Sequence, residues 1–204
     1  MAPVVRERRN HRLRTYAPWC SSAAECWHHQ VVIAPQALSD CETVSSGLLA
    51  QPVNAISSLG LVAAGLWLFV RVRGWPARAM AVALVVAGVG SFAYHGPQPS
   101  WSGPVHDAGV VLVGVSGVIV VLLGLATGRL RSLAVPGLVL GTALFFDLGG
   151  RTGGFLCLPD SLLQAHAAWH CLAAVGMAML TARVAAARSE IRASLRPEPV
   201  ESDA

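Results

Sequence analysis

Residues 108–128 read AGVVLVGVSGVIVVLLGLATG, a stretch of 21 residues without one charged side chain. An α-helix that crosses a bilayer needs about 20 such residues, because each residue adds about 1.5 Å across a hydrocarbon core of about 30 Å. The ranges 43–70, 79–106 and 161–182 are likewise free of Asp, Glu, Lys and Arg. A fifth stretch, 132–146, is shorter, but apolar residues after Asp147 extend it.

This pattern predicts an all-α fold, a multi-pass transmembrane helix bundle of about five spans. The expected spans are residues 53–71, 79–96, 107–127, 131–149 and 161–183. Small residues are abundant in the third and fourth spans, and we expect them to let helices pack closely in lipid.

The overall composition agrees with a membrane protein. Of 204 residues, 54% are hydrophobic and 13% are charged, about half the charge of an average soluble domain. Intrinsic disorder and a soluble α/β fold are therefore excluded. All 15 basic residues are Arg, and they lie between apolar blocks. That distribution is typical of a protein oriented in a bilayer, and we expect no nucleic-acid partner.

The arginines also predict the orientation, because basic short loops stay in the cytoplasm. The loops after spans one and three and the C-terminal tail hold nine Arg, whereas the alternate loops hold only Arg151. The prediction is a polar, non-cytoplasmic segment 1–45, a transmembrane domain 46–184 and a charged cytoplasmic tail 185–204. Five further Arg lie within residues 1–14, outside the zone of about 15 to 20 residues from a span in which the rule operates.

Three histidines lie where hydrocarbon is expected. His95 closes the second span, and His166 and His170 are four residues apart on the fifth. In a helix that spacing places two side chains on one face, and the predicted orientation puts all three in the outer half of the membrane. Three neutral imidazoles around Zn²⁺ leave a fourth position for water, as in catalytic zinc sites. Interfacial hydrogen bonding, polar packing and haem ligation remain alternatives for these histidines.

Two further residues suit such a site. Asp107 opens the third span and would accept a proton from the water or orient it, and Ser91 lies one turn before His95 and would hydrogen-bond a carbonyl oxygen or an imidazole. His106 is more simply explained as an interfacial residue. Asp147 is either a helix-end carboxylate or a hydrogen-bonding partner of the site.

Several segments resemble the alkaline ceramidase family. They are GVGSFAYH (Gly88 to His95), Asp107, QAHAAWH (Gln164 to His170), DCE (Asp40 to Glu42) and QPVNAISSL (Gln51 to Leu59). That family belongs to a membrane hydrolase superfamily with adiponectin-receptor-like and Per1-like proteins. Alkaline ceramidases have seven spans and hydrolyse an N-acyl amide at a zinc site.

The resemblance implies zinc ligands at His95, His166 and His170, with Asp107 and Ser91 as the catalytic groups that orient water and stabilise the transition state. It also implies a ceramide-like or other N-acyl lipid as substrate. Neutral Gln51 stands near the place of a calcium-binding carboxylate, so we expect no calcium, with Asp40 and Glu42 left as weak candidates.

The cysteines predict a disulfide. Cys41 and Cys157 precede the first and fifth spans at one membrane level, and Cys20 and Cys26 form a possible second pair. Free thiols are the alternative for both pairs. The segment ECWHHQ (residues 25–30) is a weaker candidate for a second metal site.

Three classes of function fit these features. The leading hypothesis is a zinc-dependent integral membrane hydrolase that cleaves an amide, or an ester, in a lipid, with its site towards the non-cytoplasmic face. The alternative is a receptor-like or structural membrane protein with a non-catalytic zinc site. A transporter or haem protein is third. An open metal position beside an Asp favours the hydrolase, because structural sites use four protein ligands.

Overall fold

The structure, a computed structural model, describes residues 40–195, and it is all-helical over that range. Five helices follow one another: α1 (Pro52–Arg71), α2 (Trp75–His95), α3 (Ser102–Leu125), α4 (Arg131–Gly149) and α5 (Ala165–Ser194). Each is long and apolar enough to cross a membrane, and no strand occurs in the described range. The predicted all-α bundle of five spans is confirmed, and these helices indicate a membrane protein.

Helix α4 coincides with its predicted span, but other boundaries differ. Helix α2 begins at Trp75, before the predicted residue 79. Pro76 lies in its first turn, where a backbone N–H makes no hydrogen bond within the helix, so a proline is tolerated there. Helix α3 begins at Ser102, five residues before the prediction.

Helix α5 begins at Ala165, four residues later than predicted. Gln164 has an extended backbone, and its side-chain amide donates to the carbonyl oxygens of Leu158 and Ser161 at 2.9 and 2.6 Å, which holds the preceding loop out of the helix. His170 therefore lies about 8 Å into the helix, at 1.5 Å per residue, whereas a helix beginning at residue 161 would place it about 13 Å in.

The bundle brings one end of every helix together. Helix α2 packs against α1 and α3, and α5 packs against α4 and α1. Neighbouring helices in sequence run antiparallel, so the starts of α1, α3 and α5 meet the ends of α2 and α4. We call this end, which carries His95 and His166, the histidine end. Helix α2 is the most buried span, and Leu84 in its middle is fully enclosed.

A strap formed by residues 40–51 crosses the histidine end. Its Cys41 is disulfide-bonded to Cys157, with the Cα atoms 5.5 Å apart, as predicted. The backbone N–H of Gln51 donates to the carbonyl of His95 at 2.7 Å. The strap thus connects the α4–α5 loop, the start of α1 and the end of α2.

The predicted pairing of Cys20 with Cys26 and the candidate metal site at 25–30 lie outside the described residues.

Close packing at glycine is confirmed in part. A Cβ atom at Gly109 would lie 2.5 Å from Cα of Ala87, so α2 and α3 touch there through their backbones. At Gly114, Gly137 and Gly141, in contrast, a Cβ atom would meet nothing within 4 Å in the described structure, so the packing prediction is wrong at these positions.

The α2–α3 contact gives a first prediction about stability. A Cβ atom at Gly90 would lie 2.8 Å from the backbone nitrogen of His106, so Gly90→Ala must push the two helices apart. We expect a loss of about 1–3 kcal/mol, measured as a lower unfolding temperature of the detergent-solubilised protein. The control Gly114→Ala has open space and should leave the temperature unchanged or raise it. Equal behaviour of the two variants would contradict this packing.

Candidate metal centre

Three histidines converge at the histidine end. His95 is the last residue of α2, and His166 and His170 lie in the first two turns of α5. All three side chains are buried, and one ligand nitrogen from each lies within 4.8 Å of the other two. The structure thus brings together the three residues that the sequence singled out as metal ligands.

The orientation of His95 follows from its hydrogen bond to Gln51. The Gln51 amide nitrogen donates to the carbonyl of Glu42 at 3.0 Å, which turns its oxygen towards His95 Nδ1, 2.7 Å away. An amide oxygen only accepts, so Nδ1 of His95 carries the proton. Nε2 is then unprotonated and has a free lone pair, which is the form in which an imidazole binds a metal.

His170 is held in the same way by α1. Ser57 donates its hydroxyl proton to the carbonyl of Asn54 at 2.9 Å, and its oxygen lies 2.9 Å from His170 Nδ1. A hydroxyl has one proton, so Ser57 accepts from Nδ1–H. Ser58 lies 3.4 Å from the same nitrogen, in the same relation to Asn54. Nε2 of His170 is therefore also unprotonated and has a free lone pair.

His166 faces two carboxylates. Its Nδ1 lies 3.6 Å from Asp147 Oδ1 and 4.0 Å from Asp40 Oδ1. Asp147 lies in the last turn of α4 with its side chain 14% exposed, and it also pairs with Arg151 at 3.1 Å. Carboxylates behind a histidine are common around metal sites, where they orient the ring and make it more basic.

The unpaired nitrogens test whether a metal fits. In the described structure, Nε2 of His95 and both nitrogens of His166 are buried without a hydrogen-bond partner. Buried polar atoms are nearly always partnered, so these unpartnered nitrogens within a close group of three histidines fit residues that could hold a cation. No carboxylate or thiolate of residues 40–195 joins the group of three. Three ligands with an open position are the composition of a catalytic zinc site.

Ser91 lies beside this group. It is buried one turn before His95 and lines a cavity of about 200 Å³ whose wall also includes His106, Trp169 and His170. The remaining wall is mostly aliphatic, so Ser91 is one of the few polar groups there.

Asp107 is farther out than the sequence suggested. Its side chain is 66% exposed and accepts a hydrogen bond at 2.9 Å from Nδ1 of His106. His106 stacks on Tyr94, with ring centroids 4.6 Å apart, and lines the cavity beside Ser91. Asp107 thus contacts a residue of the cavity wall, His106, but does not line the cavity itself.

Glu42 has a structural role that the sequence did not predict. Its two carboxylate oxygens accept from the backbone N–H groups of Val53 and Asn54, both at 2.8 Å, at the start of α1. An acidic side chain at this position stabilises the positive end of a helix.

Sequence reasoning missed Gln51, Ser57 and His106 as partners of the site. A signal existed for Ser57, because it forms part of a polar cluster in an otherwise apolar span. No sequence signal pairs Gln51 with His95, since these residues are 44 positions apart.

The Ser57 contact gives a second prediction. Ser57→Ala removes the acceptor for His170 Nδ1–H, and such losses typically lower metal affinity by about 10- to 100-fold. We expect the lower end of that range, because Ser58 remains 3.4 Å away. Competition titration with a zinc chelator measures the affinity. Ser116→Ala, at a buried serine of α3, is the matched control and should bind zinc like the wild type. If both variants kept wild-type affinity, the hydrogen bond would have no part in metal binding.

Comparison with protein-family models, with curated proteins and with solved structures finds no match in any of the three. The likeness to alkaline ceramidases therefore rests on the motifs alone.

Proposed function

We propose that this protein is a zinc-dependent integral membrane hydrolase that cleaves the amide bond of an N-acyl lipid. The observation that carries the proposal is the group of three buried histidines, with unpartnered ring nitrogens on His95 and His166 and no fourth protein ligand in the described residues. The order of the motifs, as in alkaline ceramidases, supports the reaction class.

The histidines and their partners would hold the ion. His95, His166 and His170 bind it through ring nitrogens, and Gln51 and Ser57 keep two of the rings in the tautomer with Nε2 free. When bound, zinc supplies a Lewis acid that acidifies a water molecule and polarises a carbonyl group.

Proton transfer is assigned to His106 and Asp107. Since Asp107 accepts from Nδ1–H of His106, the other ring nitrogen has a lone pair that can take a proton from the attacking water and return it to the leaving amine. The Ser91 hydroxyl donates to the oxygen of the acyl group. Both Ser91 and His106 line the cavity next to His170, and this shared lining supports the assignment.

Two apolar surfaces suit a lipid. The cavity beside His170 is lined by aliphatic side chains, among them Leu61, Leu84 and Val113, which suits the part of an acyl chain next to the amide. The loop between α4 and α5 leaves Phe155 and Leu163 largely exposed, as expected of residues in contact with lipid. The Arg distribution favours a site towards the non-cytoplasmic face.

One observation favours the alternative, a receptor-like or structural protein with a non-catalytic zinc site. Asp107, which is proposed to orient the proton acceptor His106, is two-thirds exposed and lies outside the histidine group, whereas the histidines themselves are buried. In that alternative the ion only ties α2 to α5.

Hydrolysis by the purified full-length protein tests the proposal. Ceramide, other N-acyl lipids and ester lipids are offered in mixed micelles, and released fatty acid is measured by mass spectrometry. We expect release from an N-acyl lipid that stops when zinc is chelated and returns when zinc is restored. Stoichiometric zinc without release from any of these lipids would favour the structural alternative.

A further inference from the structure

A second cavity, of about 270 Å³, lies at the end of the bundle opposite the histidines. It is formed where the α1–α2 connection meets the second half of α5. Its polar lining consists of three arginines and two hydroxyl groups, namely Arg73, Arg188, Arg192, Thr181 and Ser189. We call it the arginine cavity.

The three arginines of this cavity have no carboxylate partner in residues 40–195. Arg129, at the same end of the bundle, differs because it pairs with Glu190. Three guanidinium groups around one space, without a carboxylate partner in this range, repel one another and favour an anion between them. Arg binds phosphate well because its planar fork matches two phosphate oxygens.

Thr181 supplies an independent sign of a ligand. Its residue is only 2% exposed, it lines the cavity, and its Oγ1 is buried without a hydrogen-bond partner in the described structure. A hydroxyl left unpaired inside a protein costs about 1–3 kcal/mol. A ligand oxygen in the arginine cavity would provide the missing partner.

The position of the cavity matches the headgroup layer of a bilayer. Trp75 at the cavity and His95 at the metal centre are the two ends of α2, a 21-residue helix about 30 Å long, which is the thickness of the hydrocarbon core. Trp75 is 59% exposed, and tryptophan is typical of the level where headgroups meet hydrocarbon.

We propose that the arginine cavity binds the phosphate group of an anionic phospholipid from the leaflet opposite the histidine end. Arg73, Arg188 and Arg192 neutralise the phosphate, and Thr181 bonds to one of its oxygens or to an oxygen of the glycerol. A soluble phosphate compound offers the same chemistry, but Trp75 and the depth of the cavity favour a lipid.

Titration of the full-length protein with short-chain phosphatidylglycerol in a neutral detergent tests this assignment. Binding is followed by native mass spectrometry and by the shift in unfolding temperature. Each arginine near a membrane surface contributes about fivefold in affinity, so the double variant Arg188→Gln, Arg192→Gln should bind about 25-fold more weakly. The control Arg131→Gln removes an exposed arginine outside the cavity and should bind like the wild type.

Thr181→Val separates a ligand contact from a structural role. Removing a buried unpaired hydroxyl should raise the unfolding temperature of the lipid-free protein, yet weaken phosphatidylglycerol binding by about fivefold. The proposal is overturned if Arg131→Gln weakens binding as much as the double variant, or if phosphatidylcholine binds equally well. It is also overturned if inorganic phosphate or glycerol 3-phosphate binds as tightly as the lipid, which would assign the cavity to a soluble anion.

Discussion

Replacing His170 with alanine is expected to remove zinc and activity together. One of three ligands is lost, so the fall in metal affinity should exceed the 10- to 100-fold that loss of a mere hydrogen-bonding partner causes. Metal content is measured by mass spectrometry after gel filtration, and fatty-acid release on the same samples. The neighbouring Cys171→Ala, at an exposed free thiol, is the control and should retain both.

A His170→Ala protein that kept wild-type zinc would show that the ion lies elsewhere. One that lost zinc but kept its activity would separate the metal from the reaction and would contradict the proposed hydrolase.

Replacing Asp107 with asparagine should have the opposite pattern, with zinc kept and turnover lost. Asp107 contacts His106 and not the histidine group, so the ion is undisturbed. The neutral amide lacks the negative charge that favours the protonated form of His106, so His106 becomes a weaker proton acceptor. General acid–base catalysis contributes about 10²- to 10⁴-fold, and a fall in kcat within that range is expected. His106→Gln should give a similar fall.

Asp147→Asn is the informative comparison, because this carboxylate lies 3.6 Å from His166. The Asp147→Asn variant should bind zinc more weakly, and its turnover should fall only because zinc is lost. Added zinc should therefore restore its activity. If Asp107→Asn behaved in the same way, or left turnover unchanged, then Asp107 would have no catalytic role.

The sequence was sufficient for the architecture because a bilayer imposes simple constraints. A charge-free stretch of about 20 residues has few alternatives to a spanning helix, and all five predicted spans are helices. Their ends depend on local detail, such as the side chain of Gln164, and were predicted less well. The disulfide was predictable because Cys41 and Cys157 both precede a span on the same side.

The candidate site was predictable only in its main residues. His166 and His170 share a helix face by spacing alone, and the alternation of helices brings His95 to the same level. Whether Asp107 points into the bundle is decided by the rotation of α3, which a span without a marked polar face does not indicate. Gln51 and Ser57 lie just before and within α1, whereas the rings they contact belong to α2 and α5. Only the packed structure therefore pairs them.

The proposed function depends on one zinc ion shared by His95, His166 and His170. Zinc X-ray absorption on purified wild type, combined with its metal content, tests this most directly. We expect one zinc per chain, bound by three imidazole nitrogens at about 2.0–2.1 Å and by one oxygen, with no sulfur ligand. Purified protein that holds no metal after incubation with zinc would contradict this site. Zinc bound through cysteine sulfur would contradict it as well.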